Sequence, residues 1–382
     1  MNKSNKIGIM TIHNCYNYGA SLQAYATYYF LKKIGFENVE IINYENDFEK
    51  KSKSSIKFIK TGKGKEKIKR MVQYIIFGKN RHLKKGFKKF NKNLIRSPKV
   101  DKDTIYSLSY DILISGSDQI WNPVIFNELD EMFFLNFANN AKKMSISSSA
   151  GSYIYNKNEI ERVNELLSKY DAISVREISL KEQLQPNLKK EVFVSVDPTL
   201  LLDKSEWKKS LNIKKEKNEE EYILLYLVDA NINDYMNEIE RLKKRINLPI
   251  WFITPYKFKY KNIDKNIVSA TPELFISLIN NSEFVITNSY HGVIFSTNFD
   301  KNFFALENHK NPKRTQDDAV SIMNEGGRVC IITFHSLEDR IVKNEEDAKK
   351  IALMYDKEKA AIKLKELVDC TKNWIINNLD NM

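Results

Sequence analysis

The chain has 382 residues, of which 42% are hydrophobic and 29% are charged, and its net charge is +12. That length is sufficient for two domains of ordinary size, each with its own core. No stretch of the sequence approaches the ~20 apolar residues that cross a bilayer. Residues 1–6 also lack the apolar core and cleavage site of a secretory signal. We therefore expect a cytoplasmic protein.

Three cysteines, Cys15, Cys330 and Cys370, lie far apart in the sequence and form no C-x-x-C pair. This spacing favours neither a zinc cluster nor a disulfide framework. The sequence shows no other cluster of metal ligands, and we predict no metal site.

Lysines account for most of the positive charge, and they are densest between residues 50 and 70. Such a surface attracts acidic lipid, nucleic acid or a phosphorylated substrate. A solvated helix face is the simpler interpretation. The neighbouring aromatic residues alternate with aliphatic ones, as on a packed helix, and do not resemble a platform for stacking bases.

The first predicted elements form a β-loop-α-β unit. Residues 7–12 are typical of a buried strand, residues 21–34 have helical spacing that ends at Gly35, and residues 39–44 form a second strand. This order is typical of the start of a parallel, doubly wound sheet.

A lysine-rich helical insertion, at about residues 45–100, follows this unit. Further strands are then predicted, each ending in small or polar residues, at 110–115, 143–148, 172–177 and 192–198. In open α/β sheets, ligands bind at the carboxyl ends of the strands. The charged segment 214–221 interrupts the pattern, so we place the domain boundary there, between residues 1–215 and residues 216–382.

The strand and helix pattern restarts in the second half. Strands are predicted at 222–228, 250–254, 284–287 and 301–306, with helices at 231–246 and 272–281 and a helical tail at 345–379. The predicted fold class is α/β, with two Rossmann-like domains facing a cleft, and it resembles the GT-B architecture of many sugar-handling enzymes. Fold alone does not determine function.

The sharpest candidate site follows the strand at 284–287. Asn288, Ser289, His291 and Gly292 stand where this strand leads into a helix. Backbone N–H groups at a helix N-terminus bind anions, glycine allows close backbone approach, and a histidine there can donate or relay a proton. A histidine that only caps the helix is the alternative.

Arg176 and Asp118 also follow predicted strands. The planar guanidinium of Arg176 suits a carboxylate or a phosphate, although for this arginine taken alone a surface ion pair with Glu177 or a neighbour is the better explanation. Gly116 and Ser117 form a turn before Asp118, whose carboxylate is placed to hold a sugar hydroxyl or act as a base. An N-cap role for Asp118 is the alternative.

The loop after the first strand contributes further candidate ligands. Asn17, Tyr18 and Gly19 open the first helix, and Gln23 lies one turn further on. This polar loop is not a G-x-G-x-x-G fingerprint, so the pattern gives little support to a dinucleotide site.

Taken together, these motifs resemble the polysaccharide pyruvyl transferase family. The resembling segments, in the order of the family, are 8–11, 17–25, 115–122, 174–177, 197–201 and 287–292. The resemblance covers residues 6–310 and implies a GT-B-like fold, phosphoenolpyruvate as the donor substrate and no further cofactor. It also implies a sugar acceptor in a surface polysaccharide or its lipid-linked precursor. By the same resemblance, Arg176 and His291 match positions of donor-binding and catalytic groups.

A pyruvyl ketal transferase is therefore the function that the sequence predicts, with acceptor binding in the N-terminal domain and donor binding in the C-terminal domain. A GT-B glycosyltransferase that uses a nucleotide sugar is one alternative. A non-catalytic or RNA-binding protein is another, although we expect no nucleic acid partner. A lipid-linked acceptor would place the protein at the inner membrane face, in peripheral contact with anionic lipid.

One segment departs from this pattern. Residues 324–343 closely resemble a signature of the bacterial rRNA cytosine methyltransferases. The glycine-rich loop that would hold S-adenosylmethionine is not found after an early strand. We interpret the segment as an exchanged or convergent piece and predict no second activity from it.

Overall fold

The chain forms two compact units, each built on a parallel sheet. The computed structural model describes residues 2–46, 81–138, 140–213, 220–228, 231–254, 260–307 and 340–382. The first unit comprises Met1–Val175, Gln183–Phe193 and Asp380–Met382, and the second comprises Arg176–Glu182 and Val194–Leu379. The connector from which a boundary near residue 215 is predicted lies mostly outside the described residues, so that boundary stays a prediction.

A four-stranded parallel sheet forms the centre of the first unit. Its strands, in the order β2-β1-β3-β4, are β1 (Lys6–Met10), β2 (Asn38–Ile41), β3 (Ile112–Ser115) and β4 (Lys142–Ser145). Two shorter strands, β5 (Ile173–Val175) and β6 (Val192–Val194), pair with each other. All four residues of β3 are buried, as expected when helices cover both faces of a parallel sheet.

The helices of this part of the chain follow the strands. They are α1 (Tyr18–Lys33), α2 (Arg81–Phe90), α3 (Pro123–Phe126), α4 (Lys157–Leu167) and α5 (Ile178–Leu184). Thirteen of the sixteen residues of α1 are buried, so this helix lies within the core. Asn17 caps α1 by accepting a hydrogen bond from the backbone N–H of Ala20.

A six-stranded sheet forms the centre of the second unit, and all of its strand pairs are parallel. In the spatial order β12-β11-β10-β7-β8-β9, the strands are β7 (Ile223–Tyr226), β8 (Ile250–Thr254), β9 (Lys265–Val268), β10 (Phe284–Thr287), β11 (Asn302–Leu306) and β12 (Ile341–Val342). The helices are α6 (Lys204–Ser210), α7 (Met236–Ile246), α8 (Pro272–Asn281), α9 (Tyr290–Asn298), α10 (Glu345–Lys350) and α11 (Lys357–Asp380).

The apolar residues of this second sheet face buried side chains of the helices. Ile223, Leu225 and Ile286 from the strands form one core cluster with Ile239 and Leu242 of α7. The alternating apolar positions of the strands and the helical spacing in α7 thus supply complementary faces of a single core.

The α/β class predicted from the sequence is confirmed in both units. The strands predicted at 250–254 and 284–287 have the predicted bounds, whereas the strand predicted over 7–12 ends at Met10. Most of the lysine-rich insertion, residues 47–80, and most of the methyltransferase-like segment lie outside the described residues. The helical tail is divided into α10 and α11.

Candidate functional site

A buried carboxylate, Asp197, is the centre of the candidate site in the second unit. It follows β6 and caps the short turn Pro198–Leu200, and only 1% of its surface is exposed. Its Oδ1 accepts hydrogen bonds from the backbone N–H of Thr199 at 2.9 Å and from the Thr199 hydroxyl at 2.7 Å. The orientation of the carboxylate is therefore fixed from one side.

The turn that carries Asp197 is itself fixed by neighbouring helices. The Trp207 indole of α6 donates to the Thr199 carbonyl at 2.9 Å, and the Asn298 amide of α9 donates to the same carbonyl at 3.3 Å. Leu200 packs against Ile294 of α9 and Val368 of α11. This packing holds the other carboxylate oxygen, Oδ2, in a defined position.

Arg176 and His291 both approach Asp197 Oδ2. The Arg176 Nη1 lies 3.3 Å from this oxygen, and the His291 Nε2 lies 3.7 Å from it. The second distance is that of an ion pair and exceeds a hydrogen bond. The structure therefore brings together, in one unit, the guanidinium and the imidazole that the sequence predicts to act together.

The Arg176 side chain has two further contacts. Its Nε donates to Glu177 Oε1 at 2.9 Å, and its guanidinium carbon lies 4.4 Å from the centre of the Tyr290 ring, as in a cation–π contact. Arg176 is 5% exposed and Glu177 is 1% exposed. The ion pair with Glu177 that was the alternative interpretation is thus present, and it is buried together with Asp197.

These neighbours control the charge of Asp197. Burial alone would raise the pKa of the Asp197 carboxyl, but the His291 imidazole, the Arg176 guanidinium and the Thr199 N–H together hold it below its ordinary value. Asp197 therefore remains a carboxylate in the folded protein. A buried carboxylate beside an imidazole orients the ring.

The corner between β10 and α9 places His291. Ser289 caps α9, with its side-chain oxygen accepting from the Gly292 N–H at 3.3 Å, and the Ser289 N–H donates to the Thr287 hydroxyl at 3.0 Å. A Cβ on Gly292 would lie 2.4 Å from Thr287 Oγ1. Glycine is therefore required for α9 to pack against the end of β10.

Asn288, a predicted substrate ligand, contacts the backbone. Its Oδ1 accepts from the Val228 N–H at 2.7 Å, and its Nδ2 donates to the Val228 carbonyl at 3.0 Å. The side chain thus connects the loop after β10 to the chain after β7. Its role in this structure is to hold the corner that presents His291.

In the first unit, Gln23 holds the loop between β1 and α1. This fully buried side chain donates from Nε2 to the Thr11 hydroxyl at 2.8 Å and to the Ile12 carbonyl at 3.1 Å. Tyr18 and Gly19 are buried in α1, and Asn17 is an exposed N-cap. Of these predicted ligands, Asn17 is thus the exposed one.

The loop after β3 is also held tightly. A Cβ on Gly116 would lie 2.8 Å from Thr11 Cβ, and the buried Ser117 accepts a hydrogen bond at its carbonyl from the Thr11 hydroxyl. Asp118 has a φ of 74°, a conformation that non-glycine residues seldom adopt. Its Oδ1 accepts from the Gln119 N–H at 2.8 Å, which resembles the local capping role that was the alternative for this carboxylate.

Sequence reasoning did not include Asp197, Glu177 or Tyr290 among the site residues. The sequence could have indicated Asp197 as a site residue, because it is an acidic residue directly after a buried strand, where ligands bind in α/β folds. Glu177 and Tyr290 are adjacent in sequence to Arg176 and His291, but their orientation depends on the fold.

Each unit has an α/β fold, and the chain belongs to the GT-B-like fold class. The structure resembles the UDP-GlcNAc 2-epimerase from Methanocaldococcus jannaschii, with a TM-score of 0.50, 13% identity and coverage of 99% of each chain. It is also similar to the UDP-GlcNAc 2-epimerase from Neisseria meningitidis, with a TM-score of 0.48 and 12% identity over 98% of this chain and 99% of that chain. At such identities the likeness concerns the fold alone.

The sequence profile of the polysaccharide pyruvyl transferase family matches residues 17–310. This match covers well over half of the chain, and the chain belongs to that family.

A second, shorter similarity lies at the C-terminal side. The profile of the MraW methylase family matches residues 308–367. The ribosomal RNA small subunit methyltransferase H of Clostridioides difficile is 89% identical over 28 residues, which are 7% of this chain and 9% of that protein. The chain thus spans about a tenth of the length of this curated relative, and the likeness to a methyltransferase signature predicted from residues 324–343 is confirmed for that short piece.

Within the described ranges, none of the helices combines the length and apolarity that crossing a bilayer requires. The same ranges contain no group of three His, Cys, Asp or Glu side chains arranged to hold a metal ion.

Proposed function

We propose that the protein transfers the pyruvyl group of phosphoenolpyruvate to two hydroxyls of one sugar, forming a cyclic ketal. The sugar belongs to a surface polysaccharide or its lipid-linked precursor. Family membership supports the transfer to a polysaccharide. The arrangement of His291, Asp197 and Arg176 is the observation that carries the chemical assignment.

His291 is the acid–base group in this proposal. Its Nε2 faces the Asp197 carboxylate at 3.7 Å, and 12% of its side chain is exposed. With a neutral imidazole, the cluster of Arg176, Glu177, Asp197 and His291 has a net charge of −1, and protonation of the imidazole brings it to zero. The protonated state therefore removes the net repulsion towards an anionic donor, and Nδ1 is left to exchange the proton.

Arg176 acts through Asp197 in this scheme. Its Nε and Nη1 donate to Glu177 and Asp197, so the guanidinium holds the carboxylate that faces His291. Direct binding of the donor by Arg176, as the sequence predicts, stays a prediction. The donor phosphate is placed at the first turn of α9, where backbone N–H groups lack intrahelical partners and favour anions.

The reaction balances without a cofactor. The imidazolium protonates the methylene carbon of phosphoenolpyruvate, and a sugar hydroxyl adds to the adjacent carbon while its proton returns to the imidazole. The bond from that carbon to the phosphate oxygen then breaks. Phosphate leaves with one proton, and the second hydroxyl closes the ketal and releases its own proton. One hydroxyl proton thus ends on the new methyl group and the other on phosphate.

Binding of the acceptor by the N-terminal part of the chain, through Asn17 and Asp118, stays a prediction. A lipid-linked acceptor would place the enzyme in the cytoplasm, in peripheral contact with the inner membrane face. The lysine-rich segment 50–70 that would make this contact lies outside the described residues.

The test combines phosphoenolpyruvate with a panel of sugar acceptors and follows both phosphate release and the mass of the sugar product. His291→Ala should lower turnover by about 100- to 10,000-fold, the usual contribution of a positioned acid–base group. His82→Ala is the matched control, because His82 is exposed on α2. Circular dichroism should show both variants folded.

A full rate in folded His291→Ala would refute the assignment of this residue. A parallel thermal-shift measurement separates the two transferase hypotheses. Stabilisation by phosphoenolpyruvate supports pyruvyl transfer, and stabilisation by a nucleotide sugar without any response to phosphoenolpyruvate would contradict it.

A further inference from the structure

A cavity of about 320 Å³ lies in the first unit, and none of the side chains assigned above is among its lining residues. The loop after β1, helix α2 and the chain that follows α2 border it. Its lining includes Cys15, Tyr16, Phe87, Asn91 and four basic side chains. Its volume falls in the range of small-molecule sites, about 300–1,000 Å³, and exceeds what a single small ion needs.

The lining of this cavity is strongly basic. It contains Lys84, Lys85, Lys88 and Arg96 and no carboxylate. Among the described residues, none of these four cations forms an ion pair with an acidic side chain. Lys84 and Lys88 are four residues apart on α2, a spacing at which like charges destabilise a helix. The helix therefore carries a local electrostatic cost that an anion would remove.

The remaining walls are rigid and partly apolar. Phe87 packs against Tyr16, with ring centres 5.9 Å apart, and against Tyr18, with ring centres 5.3 Å apart. The Asn91 side chain donates to the His13 carbonyl at 3.1 Å, which fixes the loop. Asn91 is 5% exposed, and its Oδ1 has no hydrogen-bond partner among the described residues. A ligand with both an anionic group and hydroxyl donors would satisfy this lining.

We propose that this cavity binds the phosphate or diphosphate group of a phosphorylated saccharide. Lysine and arginine donate charge-assisted hydrogen bonds to phosphate oxygens, Asn91 Oδ1 accepts from a sugar hydroxyl, and the Phe87 and Tyr16 rings cover an apolar sugar face. The inference that an anion binds here depends only on the residues that line the cavity. The identity of the ligand as the acceptor substrate rests on the proposed function.

Cys15, a cysteine of intermediate burial in the lining that forms no disulfide, provides a direct measure of occupancy. The rate of its alkylation by iodoacetamide is followed by peptide mass spectrometry in the full-length protein, with Cys370 as the internal reference. Inorganic pyrophosphate should slow the alkylation of Cys15 in a saturable way and leave the rate at Cys370 unchanged. No protection of Cys15 at millimolar pyrophosphate would overturn the proposal.

A pair of double variants tests which cations are responsible. Lys84→Gln with Lys88→Gln removes two lining charges, and Lys89→Gln with Lys92→Gln removes two exposed charges of the same region that do not line the cavity. The first pair should raise the half-protecting pyrophosphate concentration at least tenfold, and the second pair should change it less than threefold. Equal effects of the two pairs would show a general charge effect and overturn the site.

Two further ligands distinguish the source of the phosphate. A soluble nucleoside diphosphate sugar and a saccharide-bearing polyprenyl diphosphate in detergent are each compared with pyrophosphate. Tighter protection by either one supports a saccharide ligand and identifies its carrier. Protection by pyrophosphate but by neither saccharide would overturn the saccharide part of the proposal. Since alkylation requires no turnover, these outcomes are independent of whether ketal formation is detected.

Discussion

The substitution Asp197→Asn tests the buried charge cluster most directly, because it changes the charge and almost nothing in shape. Asp197 Oδ1 accepts two hydrogen bonds from Thr199, and Oδ2 faces Arg176 and His291. If the asparagine oxygen accepts the two hydrogen bonds from Thr199, the asparagine NH₂ group faces the Arg176 N–H. Both of these groups are hydrogen-bond donors, so no bond forms between them. If the amide turns over, the Thr199 bonds are lost. Neither orientation satisfies all of these neighbours.

The expected cost follows from the burial of the cluster. Removing one partner from a buried ion pair lowers the free energy of unfolding by about 3–5 kcal/mol, because the remaining charge is buried without a partner. We expect a loss of this size for Asp197→Asn. Turnover should also fall, by about 100- to 10,000-fold, since His291 loses the carboxylate that orients its ring.

The charge of Asp197 should make the folded protein less stable as the pH falls. The pKa of Asp197 is lowered in the folded protein, so the unfolded chain binds the proton more readily. This contribution to stability is complete above the unfolded pKa of about 3.9 and is lost as the pH falls below it, towards the folded pKa. The asparagine variant lacks that contribution, and its stability should fall less steeply below pH 4 than that of the wild type.

Urea unfolding at pH 7 and at a series of acid pH values measures both effects. Asp300→Asn is the matched control, because Asp300 pairs with Lys204 at 3.5 Å on the surface and asparagine tolerates its positive φ of 56°. The free energy of unfolding of the control variant should fall by about 0–1 kcal/mol. A cost for Asp197→Asn no larger than that of the control, with an unchanged slope in acid, would refute the reasoning about the buried cluster.

Two further substitutions test the corner that presents His291. Gly292→Ala places a Cβ 2.4 Å from Thr287 Oγ1, so the free energy of unfolding, measured by urea titration, should fall by about 1–3 kcal/mol. An unchanged urea midpoint would contradict the close packing of α9 on β10. Asn288→Ala removes both hydrogen bonds to the Val228 backbone, and we expect a loss of about 1–3 kcal/mol with a larger loss of turnover than of phosphoenolpyruvate binding. A variant that binds the donor poorly while keeping wild-type stability would instead indicate that Asn288 contacts the donor.

The strands and the loops that follow them were predictable because their signals are local. Short apolar runs that end in small or polar residues predicted the strands at 250–254 and 284–287 with their observed bounds. The glycine of the 287–292 motif predicted close approach of a ligand to the backbone. In the structure, a Cβ on Gly292 would lie 2.4 Å from Thr287 Oγ1, so packing also requires glycine here, and the approach of a ligand stays a prediction. These features could be predicted because each depends on residues that are close together in the sequence.

The partners of the site residues could not be predicted, because they depend on contacts between distant segments. Arg176 and Asp197 are 21 positions apart, and Asp197 and His291 are brought together by the packing of Leu200 on α9 and by the Asn298 hydrogen bond to Thr199. Asn288 and Gln23 show a second ambiguity, and their binding of substrate stays a prediction. Their polar side chains suggested ligands, but both hold backbone groups, a use of polar side chains that sequence alone does not distinguish from ligand binding.

The 3.7 Å separation of Asp197 and His291 also indicates which group moves during the proposed reaction. Asp197 is held by Thr199, and Trp207 and Asn298 fix the carbonyl of that residue, so the carboxylate has little freedom to turn. The imidazole sits on the first turn of α9 and is 12% exposed. Catalytic hydrogen bonds are often long before substrate binds and shorten in the complex. Closing this gap therefore falls to His291, and an anionic donor at the α9 N-terminus would favour the closed, protonated form.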